Sequence, residues 1–228
     1  NSHIKIMQIT LFHLPNSRSQ RIVWLLEELK LDYQLVICDQ PSSKTDMKFP
    51  TVQIEQQGQI QLLSESSAIV EYLCQREQKL LIPPSNLHYW HYCFYKNFAD
   101  ASFMPNLALK QVFAQIAQQT PWLVRFVSLA FKVAFNRAYL NPELHKQMQM
   151  LNHHFMQHTW LAGDVFSSSD LLLWFPLQAC EFAHPKFSDY PALAQYLKQI
   201  KSRPAFQTAL QKGHWSAVEF QRYWQITQ

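Results

Sequence analysis

Hydrophobic and polar positions change their period twice along this chain. Residues 6–12 (Ile-Met-Gln-Ile-Thr-Leu-Phe) read as a buried strand, and Pro15-Asn16 breaks the run. Ile22, Leu25, Leu26 and Leu29 then recur at helical spacing. A helix is therefore expected over residues 18–30, opened by a capping box of Ser17 and Gln20. Residues 33–38 return to strand, and a strand, a helix and a strand in that order imply a right-handed βαβ unit. Residues 39–48 are polar and irregular. Short strands at 51–54 and 60–63 flank Gln56-Gln57-Gly58-Gln59, a hairpin signal. A helix from Ser66 to Gln75 turns Ile69, Val70 and Leu73 inward.

Leu81-Ile82-Pro83-Pro84-Ser85-Asn86 is a proline-marked linker, and no strand alternation follows it. Helices are expected at 86–118, 121–139, 142–158, 168–182, 191–202 and 204–211. Pro105 should kink the first, while Pro142 and Pro191 suit first helical turns. The pattern predicts an α/β domain over residues 1–80, a linker at 81–85 and an all-helical domain over 86–228. The stretch 121–140 is very apolar but carries Arg125, Lys132 and Arg137, each costly at bilayer depth. It reads as a buried helix lining an apolar pocket, not as a membrane span.

Composition narrows the function. Of 228 residues 48% are hydrophobic and 16% charged, which suits a packed core and disfavours extensive disorder. The net charge of +4 is spread without a dense basic block, so no nucleic-acid partner is expected. The only glycines, Gly58, Gly163 and Gly213, are too scattered for a glycine-rich phosphate loop. Cys38, Cys74, Cys93 and Cys180 form no C-x-x-C, which disfavours a dithiol redox motif and a zinc ribbon and suits a reducing compartment. No basic segment followed by a long apolar run opens the chain, so no secretory signal is expected. His153, His154 and His158 fall in one expected helix without an H-E-x-x-H pattern or an accompanying carboxylate. They read as a solvated helix face, and no metal is expected.

Three short stretches carry the candidate chemistry: Asn16-Ser17-Arg18-Ser19, Phe49-Pro50-Thr51-Val52 and Ser64-Glu65-Ser66. With Trp24-Leu25-Leu26-Glu27-Glu28-Leu29 and Ser67-Ala68-Ile69-Val70-Glu71-Tyr72-Leu73, residues 8–82 resemble the thioredoxin-like domain of cytosolic glutathione transferases. The helical half agrees through Tyr139-Leu140-Asn141-Pro142-Glu143-Leu144, which is similar to a fungal and bacterial serine-type branch. So do Trp160 to Leu171, Phe175-Pro176-Leu177, Tyr190-Pro191 and Arg203-Pro204-Ala205-Phe206.

The resemblance implies a cytoplasmic homodimer that binds glutathione as co-substrate, with residues 62–72 and the helix after 86 near the dyad. It implies attack of the glutathione thiolate on a small apolar electrophile, with glutathione-dependent peroxidase chemistry as a second outcome. A non-catalytic ligand- or protein-binding role on the same fold stays open, as does a glutathione-linked disulfide reductase. Ser17 aligns with the catalytic serine, whose hydroxyl would stabilise the thiolate; it could equally be a helix cap. Asn16 is close enough to contact the sulfur. Arg18 either adds positive potential or is solvated. Phe49-Pro50 resembles the cis-proline turn whose backbone meets the cysteinyl part of glutathione. Glu65-Ser66 resembles the pair that holds the γ-glutamyl end, where a hydroxyl and opening helical N–H groups suit a carboxylate. Lys48 matches a lysine that would meet the glycyl carboxylate, at the end of a shortened segment, Pro41 to Lys48. Ser167-Ser168-Ser169-Asp170 resembles the family's capping box, a folding device. Tyr89, Trp90, Phe94, Phe98, Phe103 and Trp122 are expected as core or pocket aromatics.

Overall fold

The computed structural model describes residues 7–39 and 48–228. Pro41 to Met47, most of the shortened segment, lie outside the described residues. The chain divides into two units. The first holds the residues up to Leu81 together with Ile200–Ser216, and the second holds Ile82–Gln199 and Ala217–Gln228.

In the first unit β1 (Gln8–His13), α1 (Gln20–Leu29) and β2 (Gln34–Ile37) form the expected parallel βαβ crossover. β3 (Thr51–Gln56) and β4 (Gln59–Ser64) form the hairpin, and α2 (Ser66–Glu77) follows. Sheet order is β2-β1-β3-β4, with β3 antiparallel to both neighbours. The hairpin turns on Gln57 (φ 60°) and Gly58 (φ 75°); positive φ at both central residues fits the twist of the strands. Ile9, Leu11, Val52 and Ile54 form cross-strand pairs and are buried with Trp24, Leu25, Ile69 and Leu73.

Residues 200–216 belong to this unit through α9 (Pro204–Lys212), which packs on α1. Phe206 meets Trp24 edge-on at 4.9 Å, an arrangement worth about 0.5–1.5 kcal/mol beyond the area buried. Arg203 grips Glu28 with two hydrogen bonds of 2.7 and 2.9 Å. Gln20 Nε2 donates to Ala209 O at 2.6 Å. That last bond corrects the Ser17–Gln20 capping box: Ser19 is the cap residue, and the Gln20 side chain is spent on α9.

The second unit contains α3 (Tyr89–Phe98), α4 (Met104–Gln119), α5 (Arg125–Phe135), α6 (Asn141–Phe155), α7 (Ser168–Ala183), most of α8 (Pro191–Lys201) and α10 (Ala217–Gln225). The expected helix over 86–118 is interrupted not by a simple kink but by a π-helical turn, Ala99–Phe103. Met104 N–H bonds back to Ala99 O, and Pro105, which has no N–H, sits in the first turn of α4. The same device recurs at Asn136–Leu140, where Asn141 N–H reaches Asn136 O just before Pro142.

Two expectations fail here. No residue of α5 is buried, and Phe126 and Phe131 are exposed, so this helix is not the buried one its composition suggested. The histidines do not form one solvated face either. His154 is buried and its Nε2–H donates to Trp160 O at 3.0 Å, while His158 lies beyond the end of α6. The Ser167–Asp170 capping box is present as expected. Asp170 also accepts Leu161 N–H at 3.0 Å and Tyr196 O–H at 2.8 Å. α10 has no counterpart in the expected elements; Phe220 and Trp224 are buried, and Gln111 Nε2 donates to Tyr223 O at 2.6 Å.

Candidate active site

Strand register decides which candidate residues meet. Phe12 pairs with Thr51, and Thr51 pairs with Ser64. β1 and β4 end at the same edge of the sheet at which β3 begins. The segments just beyond that edge are Asn16 to Ser19 after β1, Lys48-Phe49-Pro50 before β3, and Glu65-Ser66 after β4. One end of one sheet therefore carries every candidate site residue.

The first segment is a compact hydrogen-bonded loop. His13 is fully buried, and burial holds its imidazole below the ordinary histidine value. Its Nε2 lies 2.9 Å from Gly213 O, which can only accept, so the proton sits on Nε2. Nδ1 is then an acceptor and takes the Ser19 hydroxyl proton at 2.6 Å. Ser19 Oγ in turn accepts Leu14 N–H at 3.0 Å. The proton of Ser17 has two acceptors, Leu14 O at 2.8 Å and Ser19 Oγ at 2.9 Å. Asn16 adopts φ 57° and its Oδ1 accepts Ser216 N–H at 2.8 Å. Thus Asn16 and His13 both tie this loop to the returning segment 213–216. The Arg18 side chain is exposed.

Phe49-Pro50 is a cis peptide bond, as the motif implied. Pro50 is buried, Lys48 is exposed, and Lys48 O accepts the Thr51 hydroxyl at 2.5 Å.

At the third segment Glu65 occupies an uncommon backbone region (φ 70°, ψ 116°) as the residue capping α2, with its side chain exposed. Such outliers persist where the surroundings over-determine them and concentrate at ligand sites. Ser66 is buried at the first position of α2, where backbone N–H groups lack helical partners. Arg21, fully buried on α1, donates from Nη1 to Ser66 Oγ at 3.2 Å. A guanidinium only donates. Ser66 Oγ must therefore be the acceptor of this bond, which leaves its own proton free to be donated. The buried cation and the helix N-terminus both favour an anion there.

Sequence reasoning missed His13 and Arg21 and gave Ser19 no role of its own within its stretch. The signal for Arg21 was a cation inside an apolar helical run, beside Ile22. Among the aromatics expected in the core or a pocket, Phe98 and Phe103 are buried. Trp90 and Phe94 border a groove on α3 with Cys93, Asn97 and Ser102, and Trp122 is exposed.

The comparisons agree with this architecture. Residues 11–79 match the glutathione S-transferase N-terminal domain, and residues 108–204 match the glutathione S-transferase C-terminal domain. Glutathione S-transferase 3 of Schizosaccharomyces pombe is 26% identical over 211 residues, covering 90% of this chain and 87% of its own. Glutathione S-transferase 1 of Saccharomyces cerevisiae is 24% identical over 227 residues, covering 88% of this chain and 93% of its own. A glutathione S-transferase structure from Actinobacillus pleuropneumoniae superposes with a TM-score of 0.71 at 26% identity, over 92% of this chain and 94% of that one. A glutathione transferase family member from Pseudomonas fluorescens, with two glutathione molecules bound, shares the fold at a TM-score of 0.69 and 19% identity, over 89% of this chain and 92% of that one. With both domains matched in order along the chain, the protein belongs to the glutathione S-transferase family.

Proposed function

We propose that this protein binds glutathione at the sheet edge and conjugates its thiolate to small apolar electrophiles, as a serine-type member of its family. The observation that carries the reading is the convergence of Ser17, cis Phe49-Pro50 and Glu65-Ser66 at one end of the sheet. Ser66, whose oxygen accepts from Arg21 and whose proton is thereby left to donate, binds the γ-glutamyl carboxylate together with the opening N–H groups of α2. The Glu65 carboxylate takes the α-ammonium. The backbone of Phe49 meets the cysteinyl part, and Lys48 and Arg18 add positive charge near the glycyl end and the sulfur.

A free thiol has a pKa of about 8.5, so the bound thiol needs help to ionise. Ser17 supplies it by turning its O–H from Leu14 O to the sulfur. A hydrogen bond to a charged group contributes about 1.5–3 kcal/mol and a neutral one about 0.5–1.5, so the exchange favours the thiolate. Asn16 is held by Ser216 and serves as a positioning residue. Attack on carbon is the primary reaction, with the new S–C bond replacing the bond to a leaving group such as chloride. Attack on a hydroperoxide oxygen is the secondary one, breaking the O–O bond to give an alcohol and a glutathione sulfenic acid that a second glutathione converts to the disulfide and water. Pairing as a homodimer is supported by the exposed Ile60 and Leu62 of β4 and, separately, by Trp90 and Phe94 of α3. A cytoplasmic setting is supported by Cys38, Cys93 and Cys180, which form no disulfide. Among the described residues no helix is long and apolar enough to cross a membrane.

One observation favours a non-catalytic binding role: the Ser17 proton already has acceptors within its loop. Retention on immobilised glutathione, followed by turnover of a chloronitroarene, a hydroperoxide and a mixed disulfide, separates the readings. The transferase reading expects retention and arene conjugation. Retention without any turnover selects a binding role, and no measurable glutathione affinity overturns the transferase reading and leaves only a binding role for other ligands or a protein partner.

A further inference from the structure

Within the second unit, imidazoles gather at a place the glutathione chemistry does not use. His88 caps the start of α3, His91 lies in its first turns, and His158 follows the end of α6. Their ligand nitrogens all lie within 4.8 Å of one another. His88 Nδ1 and His91 Nδ1 are 3.4 Å apart. Tetrahedral zinc with Zn–N bonds of about 2.0–2.1 Å sets its ligand nitrogens about 3.3–3.4 Å apart. The first pair therefore already stands at the spacing of a coordination edge. The third nitrogen closes by roughly 1.4 Å from that outer limit, a distance a rotamer adjustment of the half-exposed His158 spans.

The surroundings are built to hold these rings. Gly163 has φ +77°, and a Cβ there would stand 2.6 Å from His88 Cδ2, so a glycine leaves the space that the His88 ring fills. The same tight turn is closed by Trp160 N–H to Gly163 O at 2.7 Å and is anchored by buried His154.

We propose that His88, His91 and His158 form a binding site for one divalent transition-metal ion of the zinc, cobalt and nickel class, with the remaining position taken by water. Three nitrogen donors without a carboxylate suit these ions and not magnesium or calcium, which prefer oxygen. The ion would fasten the start of α3 to the end of α6.

The test is titration of the full chain with cobalt(II) in glutathione-free buffer, paired with equilibrium dialysis against zinc(II). One equivalent should bind, with the intense visible absorption of four-coordinate cobalt, and zinc should raise the thermal midpoint. Loss of a ligand should weaken binding at least as much as loss of a supporting partner, about 10–100-fold. His91→Ala and His158→Ala should each show that loss, and the double variant should bind no stoichiometric metal and show no midpoint shift with zinc. Circular dichroism of the apo variants confirms that they remain folded. Absence of uptake by the wild-type chain overturns the site, as does undiminished one-equivalent uptake by the folded double variant.

Discussion

Arg21 and Ser66 show how one buried donor fixes the role of one hydroxyl. Because the guanidinium can only donate, Ser66 Oγ accepts from it and keeps its own proton to donate elsewhere. Ser66→Ala should raise the glutathione dissociation constant about 10- to 100-fold, the equivalent of one charge-assisted hydrogen bond. Calorimetric titration checks this, and an unchanged constant removes Ser66 from the site. Ser17→Ala should lower turnover of a chloronitroarene and should weaken glutathione binding little at acid pH but increasingly as pH rises, since the serine acts on the ionised sulfur more than on the neutral thiol. Ser17, Phe49-Pro50 and Glu65-Ser66 stand out in the sequence because each is a local motif at a turn or helix start. His13 and Arg21 do not, because their partners lie far along the chain: His13 meets Gly213 and Arg21 meets Ser66. Long-range pairs leave no periodic trace.

Among the elements, α5 and α7 invert what hydropathy alone implies. α7 is buried along nearly its whole length and is opened by the Ser167–Asp170 box. Asp170 accepts Leu161 N–H, Ser167 N–H and Tyr196 O–H, and burial still pushes its carboxyl up to about 6. Asp170→Ala would strand these buried donors and should cost roughly 3 kcal/mol or more in urea unfolding. α5 is as apolar as a core helix, yet none of its residues is buried. Phe131→Glu should therefore change stability by less than about 0.5 kcal/mol, as exposed substitutions do. A large destabilisation would mean that α5 is covered. The βαβ and hairpin order, the capping box and the helix starts at Pro142 and Pro191 were readable from period and turn residues. The π-helical turns before Pro105 and Pro142 were not, because a proline forbids one hydrogen bond without saying how the helix rearranges around it. α10 is short, with Phe220 and Trp224 its only buried residues, too few to set a helical period.

For the molecule as a whole, buried titratable groups set the response to acid. Burial lowers His13, His154 and His184, the last two to about 4. Their stabilising effect is complete above the unfolded value of about 6.5 and is lost as pH falls toward the folded values, because the unfolded chain then holds the extra protons. Asp170 works in the opposite sense: its folded value is raised, so its contribution is full at low pH and fades as pH rises through about 6. Three imidazoles outweigh one carboxyl, so the urea midpoint should fall between pH 6.5 and 4, and a flat profile would contradict these protonation states.

The central claim, that the loop around Ser17 turns a bound thiol into a thiolate, is tested most directly by following thiolate ultraviolet absorbance of protein-bound glutathione against pH. The wild-type chain should show an apparent pKa below neutrality, and Ser17→Ala should move it back toward the free-thiol value of about 8.5. The same depressed pKa in both proteins, or a wild-type value at that of free glutathione, would contradict the account.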